Sequence, residues 1–165
     1  MRLSVQPLDG TDSHVMSSRY FDEWQVRDRI QDPIRPTVTA TDKLLISTMA
    51  HNLQALHIHV EAGKATECGQ ILVNGTFTFA LMVGLKAGET PLGTLVADLD
   101  YNGRVVPKPV FIGDKKRATS EVIELKDSKS RLTAGIGTFP QELINQRDEV
   151  ACCSSRSALL QRTQA

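Results

Sequence analysis

The stretch Asn74-Gly75-Thr76-Phe77-Thr78-Phe79-Ala80-Leu81-Met82-Val83-Gly84-Leu85-Lys86-Ala87-Gly88 decides how this chain has to fold. Across residues 76–85 nearly every position is apolar or small, so the helix has no polar face to show to water. A helix of that kind is buried by the rest of the protein. It is far shorter than the roughly 20 residues a membrane span needs. Asn74 suits the N-cap, and Gly75 lets another group approach the backbone closely. Lys86 places a cation at the C-terminal end, and Gly88 supplies a stop.

What can bury such a helix lies after it. Beyond residue 92 the chain reads as strands and turns. Residues 94–98 and 104–107 flank a turn at Asp100-Tyr101-Asn102-Gly103. Pro109-Val110-Phe111-Ile112-Gly113-Asp114 ends in another turn. Residues 117–125 alternate, with Ala118, Ser120, Val122 and Glu124 on one face. Asp127-Ser128-Lys129-Ser130 turns into residues 131–139, and residues 149–160 form a last strand. Helices followed by an antiparallel meander give an α+β class.

Toward the N-terminus the pattern loosens. Residues 1–18 are polar and aperiodic and read as a flexible segment; residues 19–165 read as a single domain. In residues 19–31, Phe21, Trp24, Val26 and Ile30 sit among charges, an ordered lead-in that packs on the domain. Thr37-Val38-Thr39-Ala40-Thr41-Asp42 opens a helix capped by Thr39 or Thr41, with Asp42 near its positive end. Leu44, Leu45, Ile46 and Met49 follow at helical spacing, and the helix stops near Ala50. Residues 60–70 read as a polar connection.

A chain of 165 residues is long enough to bury a core without staples. Lysine plus arginine and aspartate plus glutamate both total 19, so the formal net charge is zero. That balance speaks against nucleic acid or an anionic membrane as partner. Cys68, Cys152 and Cys153 are odd in number and two are adjacent. They form no disulfide framework and suit a reducing compartment. No signal-peptide pattern opens the sequence, so a cytoplasmic location is expected.

Three of the four histidines fall in Ala50-His51-Asn52-Leu53-Gln54-Ala55-Leu56-His57-Ile58-His59. His57 and His59 share a face if the segment is extended, but no metal-ligand spacing accompanies them, and no metal is expected. His51 and His59 read as ordinary polar residues. His57 differs because of its surroundings.

The order Thr-Val-Thr-x-x-Asp, a short helix, Asn-x-x-x-x-His, then Asn-Gly-x-x-x-x-Ala-Leu, continues with Pro-Val-Phe-x-Gly-Asp, Ser-Glu-Val-x-Glu and Ser-Lys-Ser-Arg. This resembles the MaoC-like dehydratase family, and most of all its branch of mesaconyl-CoA hydratases (β-methylmalyl-CoA dehydratases). The matching blocks run from about residue 20 to residue 160. The resemblance implies a hot-dog fold: a curved antiparallel sheet wrapped around the helix at residues 76–85. It implies a homodimer or higher homo-oligomer, with the acyl-CoA thioester along the dimer interface. It also implies that residues 50–59 form the catalytic loop.

In the family's common loop, Asp-x-x-Pro-Leu-His, the Asp and His activate the water. Here Asn52 takes the Asp position, Ala55 the Pro position and His57 the His position, while His59 stands where Asp is frequent. Hydrating an enoyl thioester takes a base for water, an acid for Cα and donors for the enolate-like oxygen. Neutral imidazole can be that base, its ordinary pKa being about 6.5. An amide cannot take up a proton but can hold water through donor and acceptor atoms. One base returning its proton to Cα gives a syn addition.

The resemblance further implies that the substrate is bound around Val73, Asn74, Gly75 and Thr76, with backbone N–H groups at the helix start as oxyanion donors. Asn74 replaces a frequent family His. The phosphates of coenzyme A call for a local basic patch. Lys129 and Arg131 rank first because they lie in a family block; Lys115-Lys116-Arg117 ranks second and Arg35 third. The expected activity is reversible hydration of a short, branched or dicarboxylic enoyl-CoA, with no cofactor beyond the coenzyme A of the substrate. A degenerate acyl-CoA-binding protein and a thioesterase are the alternatives, the latter opposed by the Asn-to-Leu-His layout.

Overall fold

The computed structural model describes residues 19–32, 34–87 and 93–163. The proposed flexible segment 1–18 and the stop at Gly88 lie outside the described residues. A single turn of 3-10 helix, Phe21–Glu23, leads to β1 (Arg29–Gln31). Three helices follow, α1 (Ala40–Met49), α2 (Ala55–Ile58) and α3 (Val60–Lys64), then the long α4 (Gly75–Ala87). The strands are β2 (Leu95–Val105), β3 (Lys116–Glu121), β4 (Glu124–Asp127), β5 (Ala134–Asn145) and β6 (Val150–Gln161).

All six strands belong to one antiparallel sheet of order β1-β3-β5-β6-β2, with β4 also on β5. Helix α4 lies across β3, β5 and β6. Met82 packs there against Ala118, Leu143 and Cys152. A second cluster joins Phe21, Trp24, Ile30, Val122, Phe139, Ala158 and Leu160, with Trp24 edge-on to Phe139 at 5.7 Å between centroids. A third joins Val38, Val73, Val110 and Ala151 beneath Phe77 and Leu81.

Helix α1 begins as expected. Thr39 Oγ1 accepts the Asp42 N–H at 3.1 Å, and Asp42 accepts the Thr39 N–H at 2.8 Å, a reciprocal cap. Four expectations need correction. Helix α4 is not buried all round: Thr78, Met82 and Lys86 are buried, whereas Thr76, Ala80 and Gly84 are exposed. One sheet covers one stripe and leaves an opposite stripe of small residues open. Lys86 does stand in the last turn of α4 as expected, and its Nζ donates to the Ile30 carbonyl at 3.0 Å inside the core.

The expected turn at residues 100–103 is the middle of β2. Tyr101 stands opposite Arg156 and Asn102 opposite Ser155. The turn-prone residues are absorbed as register shifts, with Gly103 at φ +62. The single strand at residues 117–125 is broken after Glu121. Ser120 faces Gln141, but Glu124 faces Thr138, one residue out of register. Val122 at the break points inward and hydrogen-bonds residues 27 and 28. The polar connection 60–70 holds α3, whose buried Gly63 lies against Ile71.

Candidate active site

Helix α1 closes at Met49, and His51 takes a left-handed φ of +50 beyond it. The Asn52 N–H then donates back to the Ser47 carbonyl at 3.0 Å. This fixes half-buried Asn52 at the mouth of a short loop that rises into α2. His57 sits in α2, half-buried, with Nδ1 3.0 Å from the Leu72 carbonyl. A carbonyl only accepts, so Nδ1 carries the proton and Nε2 is the basic nitrogen of the neutral ring. The Leu72 N–H donates to the Leu56 carbonyl at 3.1 Å, so the backbone grips the loop from both sides.

The grip continues directly into α4. The Val73 N–H donates to the Val110 carbonyl at 2.9 Å. Asn74 follows, 1% exposed, and its Oδ1 accepts the Thr76 N–H at 2.8 Å. Asn74 is therefore the cap that the sequence implies, while its buried Nδ2 finds no partner among the described residues. The first turn of α4 carries no acid to offset the positive end of the helix. His57, Val73, Asn74, Gly75 and Thr76 thus come together through one backbone segment. Gly75 is less crowded than its position suggests, since a Cβ there would meet Val106 at an ordinary 3.9 Å.

The other histidines diverge from this point. His51 is exposed. The segment is helical, not extended, and His59 caps α3 with Nδ1 accepting the Ala62 N–H at 3.2 Å. Among the described residues no group of three or more His, Cys, Asp or Glu could hold a metal ion.

Lys129 and Arg131 do not join the site within one chain. The Arg131 carbonyl accepts the Ala134 N–H at 3.1 Å, at the start of β5. Arg131 lines a concavity of about 640 Å³ with Val96, Leu132 and Arg162. His57 belongs to the other end of the same strands, through Val73, Val110 and Ala151. The 12 residues of β5 separate the two ends, about 35 Å of strand at the usual rise. Nearer to His57 the run Lys115-Lys116-Arg117 splits. Lys116 is buried against Asp114 at 3.0 Å, and Arg117 donates to Asp148 at 2.7 Å. Sequence reasoning missed the Leu72 carbonyl, since a backbone acceptor leaves no residue-type signal, and it missed Gly63, whose need appears only when Ile71 is packed on it.

A six-stranded antiparallel sheet crossed by one long helix, with the loop histidine at the helix N-terminus, is a hot-dog domain of the α+β class. The chain belongs to the family of the MaoC like domain, whose model matches residues 25–140, and membership supports a hydratase or dehydratase activity. The chain is 27% identical over 147 residues to the mesaconyl-CoA hydratase of Cereibacter sphaeroides. That match covers 88% of this chain and 42% of the relative, so the chain spans less than half of that protein's length. A MaoC-like dehydratase from Rhodospirillum rubrum superposes with a TM-score of 0.77 at 23% identity, covering 89% of this chain and 99% of that one. A Mycobacterium tuberculosis protein described as a double hotdog fold gives 0.79 at 17% identity, covering 88% of this chain and 45% of that one. Among the described residues no helix is long and apolar enough to cross a membrane.

Proposed function

We propose that this domain reversibly hydrates a short, branched or dicarboxylic enoyl-CoA thioester of the mesaconyl-CoA kind. One observation carries the reading: the Leu72 carbonyl engages His57 Nδ1 at 3.0 Å, which frees Nε2, and the chain from Leu72 leads straight into the N-terminus of α4. Water held by the Asn52 amide loses a proton to His57 Nε2 as its oxygen bonds to Cβ. The π electrons move through Cα to the thioester oxygen, which the N–H groups of the first turn of α4 stabilise. The imidazolium then returns that proton to Cα from the same face, giving syn addition.

The single chain leaves two faces for a second copy. Strand β2 is the long edge of the sheet, and exposed edges seek partners. Helix α4 reaches this strand through Phe79, edge-on to Tyr101 at 5.3 Å between ring centroids. Antiparallel pairing of two β2 strands would set the Leu95 end of one against the Val105 end of the other. Lys129 and Arg131 of the second copy would then approach the anionic parts of the thioester bound at the first.

The test is loss of the conjugated enoyl absorbance with crotonyl-CoA and mesaconyl-CoA, in wild type and in His57→Ala. Hydration abolished by the substitution supports the reading. The Asn52 amide favours one competitor, an acyl-CoA binder without chemistry, because no carboxylate assists the base. That protein would bind acyl-CoA in calorimetry, hydrate neither substrate, and gain no activity from Asn52→Asp. Release of free thiol would instead mark a thioesterase.

A further inference from the structure

We propose that the cleft between residues 35–37 and 115–117 is a phosphate subsite for the nucleotide end of a coenzyme A thioester. The inference rests on the thioester reading above. Thr37 stands opposite Lys115 in an antiparallel bridge, and the Lys116 N–H donates to the Pro36 carbonyl at 3.0 Å. Arg35, two residues before Thr37, lines the same cleft as Lys115 and Arg117. Lys116 alternates inward to Asp114, so Lys115 and Arg117 share the outer face with Arg35.

Like charges gathered on one small surface repel one another unless an anion joins them. Here Arg35, Lys115 and Arg117 gather, with the Asp114-paired Lys116 also in the lining, at a cleft of about 270 Å³ that Asn145, Gln146 and Asp148 share. Asp148 is the one carboxylate in that lining, and it already accepts from Arg117 at 2.7 Å. Arg35 and Lys115 are exposed, and their side chains make no hydrogen bond or ion pair among the described residues. Two arginines and a lysine around a small concavity match a phosphate, which guanidinium groups bind through paired N–H donors. In a chain of zero net charge the attraction is local.

The cleft lies at the His57 end of the sheet. Asp114, beside Lys115, accepts the Val38 N–H at 2.9 Å. Val38 packs with Val73 and Val110, and Val73 follows the residue that holds His57. One apolar layer separates imidazole from cations. The flexible pantetheine arm would run over the outer edge of that layer, leaving the phosphates at the cleft while the thioester meets His57.

The experiment compares wild type with the double variant Arg35→Gln/Lys115→Gln, and with Lys126→Gln, on distant β4, as a control for the loss of an unrelated surface cation. Calorimetry measures binding of coenzyme A and of pantetheine, and kinetics compares crotonyl-CoA with crotonyl-pantetheine. The double variant should bind coenzyme A at least about tenfold more weakly, the loss of one charge-assisted hydrogen bond or more. KM for crotonyl-CoA should rise by a similar factor, kcat should hold, and crotonyl-pantetheine kinetics should not move. Wild-type affinity for coenzyme A should fall with salt. Equal coenzyme A affinity in wild type and double variant, or an equal loss in Lys126→Gln, would overturn the subsite. If coenzyme A binding depends on these cations but neither thioester is hydrated, the subsite stands and the hydratase reading falls. If both thioesters are hydrated with unchanged KM in the double variant, the reverse holds.

Discussion

At the scale of single residues, the hydrogen bond from His57 to Leu72 does the selecting. It orients one imidazole and fixes its tautomer, while the chemically identical His59 is spent on a helix cap. His57→Ala should lower the hydration rate by about 10²–10⁴, the range for losing a positioned base. The fold should survive, since a half-buried hydrogen bond contributes about 1 kcal/mol. Stopped absorbance assays beside a thermal melt separate the two effects. The cysteines make a second residue-scale case. Burial pushes the Cys152 thiol up to about 11, with Cys153 adding to the rise and Arg104 opposing it. Alkylation at pH 8 followed by peptide mass mapping should label half-buried Cys68 and Cys153 and leave Cys152 free.

At the scale of elements, Gly63 shows how the loop is held in place. A Cβ on Gly63 would sit 2.7 Å from both the Cα and the N of Ile71, a clash with backbone that cannot swing aside. Ile71 immediately precedes Leu72, so α3 is pressed against the segment that orients His57. Gly63→Ala should displace that segment, lowering kcat about tenfold or more for a small shift of the base and lowering the melting temperature. An unchanged kcat in a folded Gly63→Ala protein would show the segment to be compliant.

Elements also show what the sequence could reveal. The apolar run at residues 76–85 announced α4, because local composition forces burial somewhere. The caps at Thr39 and Asn74 were legible because they satisfy donors within three residues. The turn at residues 100–103 misled because pairing with β6 outweighs local turn preference, and β6 lies some fifty residues away in sequence. The break after Glu121 was invisible for the same reason, since its cause is the bulge against β5. The loop was legible as chemistry through its resemblance, but its distance from Lys129 and Arg131 depends on strand direction, which spacing alone does not give.

At the scale of the whole molecule, the open stripe of α4 and the β2 edge argue for association. Leu99 and Val105 on that edge are about half exposed. Leu99→Lys should shift the protein to a monomer in sedimentation velocity and reduce activity with it, if the second copy supplies Lys129 and Arg131 to the site. Stability adds a pH dependence centred on Asp114. Burial pushes that carboxyl up, but hydrogen bonds from Gln146, the Phe111 N–H and Lys116 outweigh it and hold it below its ordinary 3.8. A carboxyl lowered in the folded state contributes stability that is fully present above the unfolded value and is lost as pH falls through the folded one. Denaturant midpoints should therefore be level near neutrality and fall below about pH 4 in step with Asp114 protonation. Asp114→Asn removes that dependence and leaves Lys116 charged in the interior, where burial already lowers its proton affinity. Breaking such a pair from one side costs about 3–5 kcal/mol. The same carboxylate orders residues 110–114, which carry both the Val110 carbonyl for Val73 and the Asp114 carbonyl for Val38. Asp114→Asn should thus weaken the fold and disturb the His57 end together, whereas Asp148→Asn, at an exposed carboxylate, should do neither by more than about 1 kcal/mol.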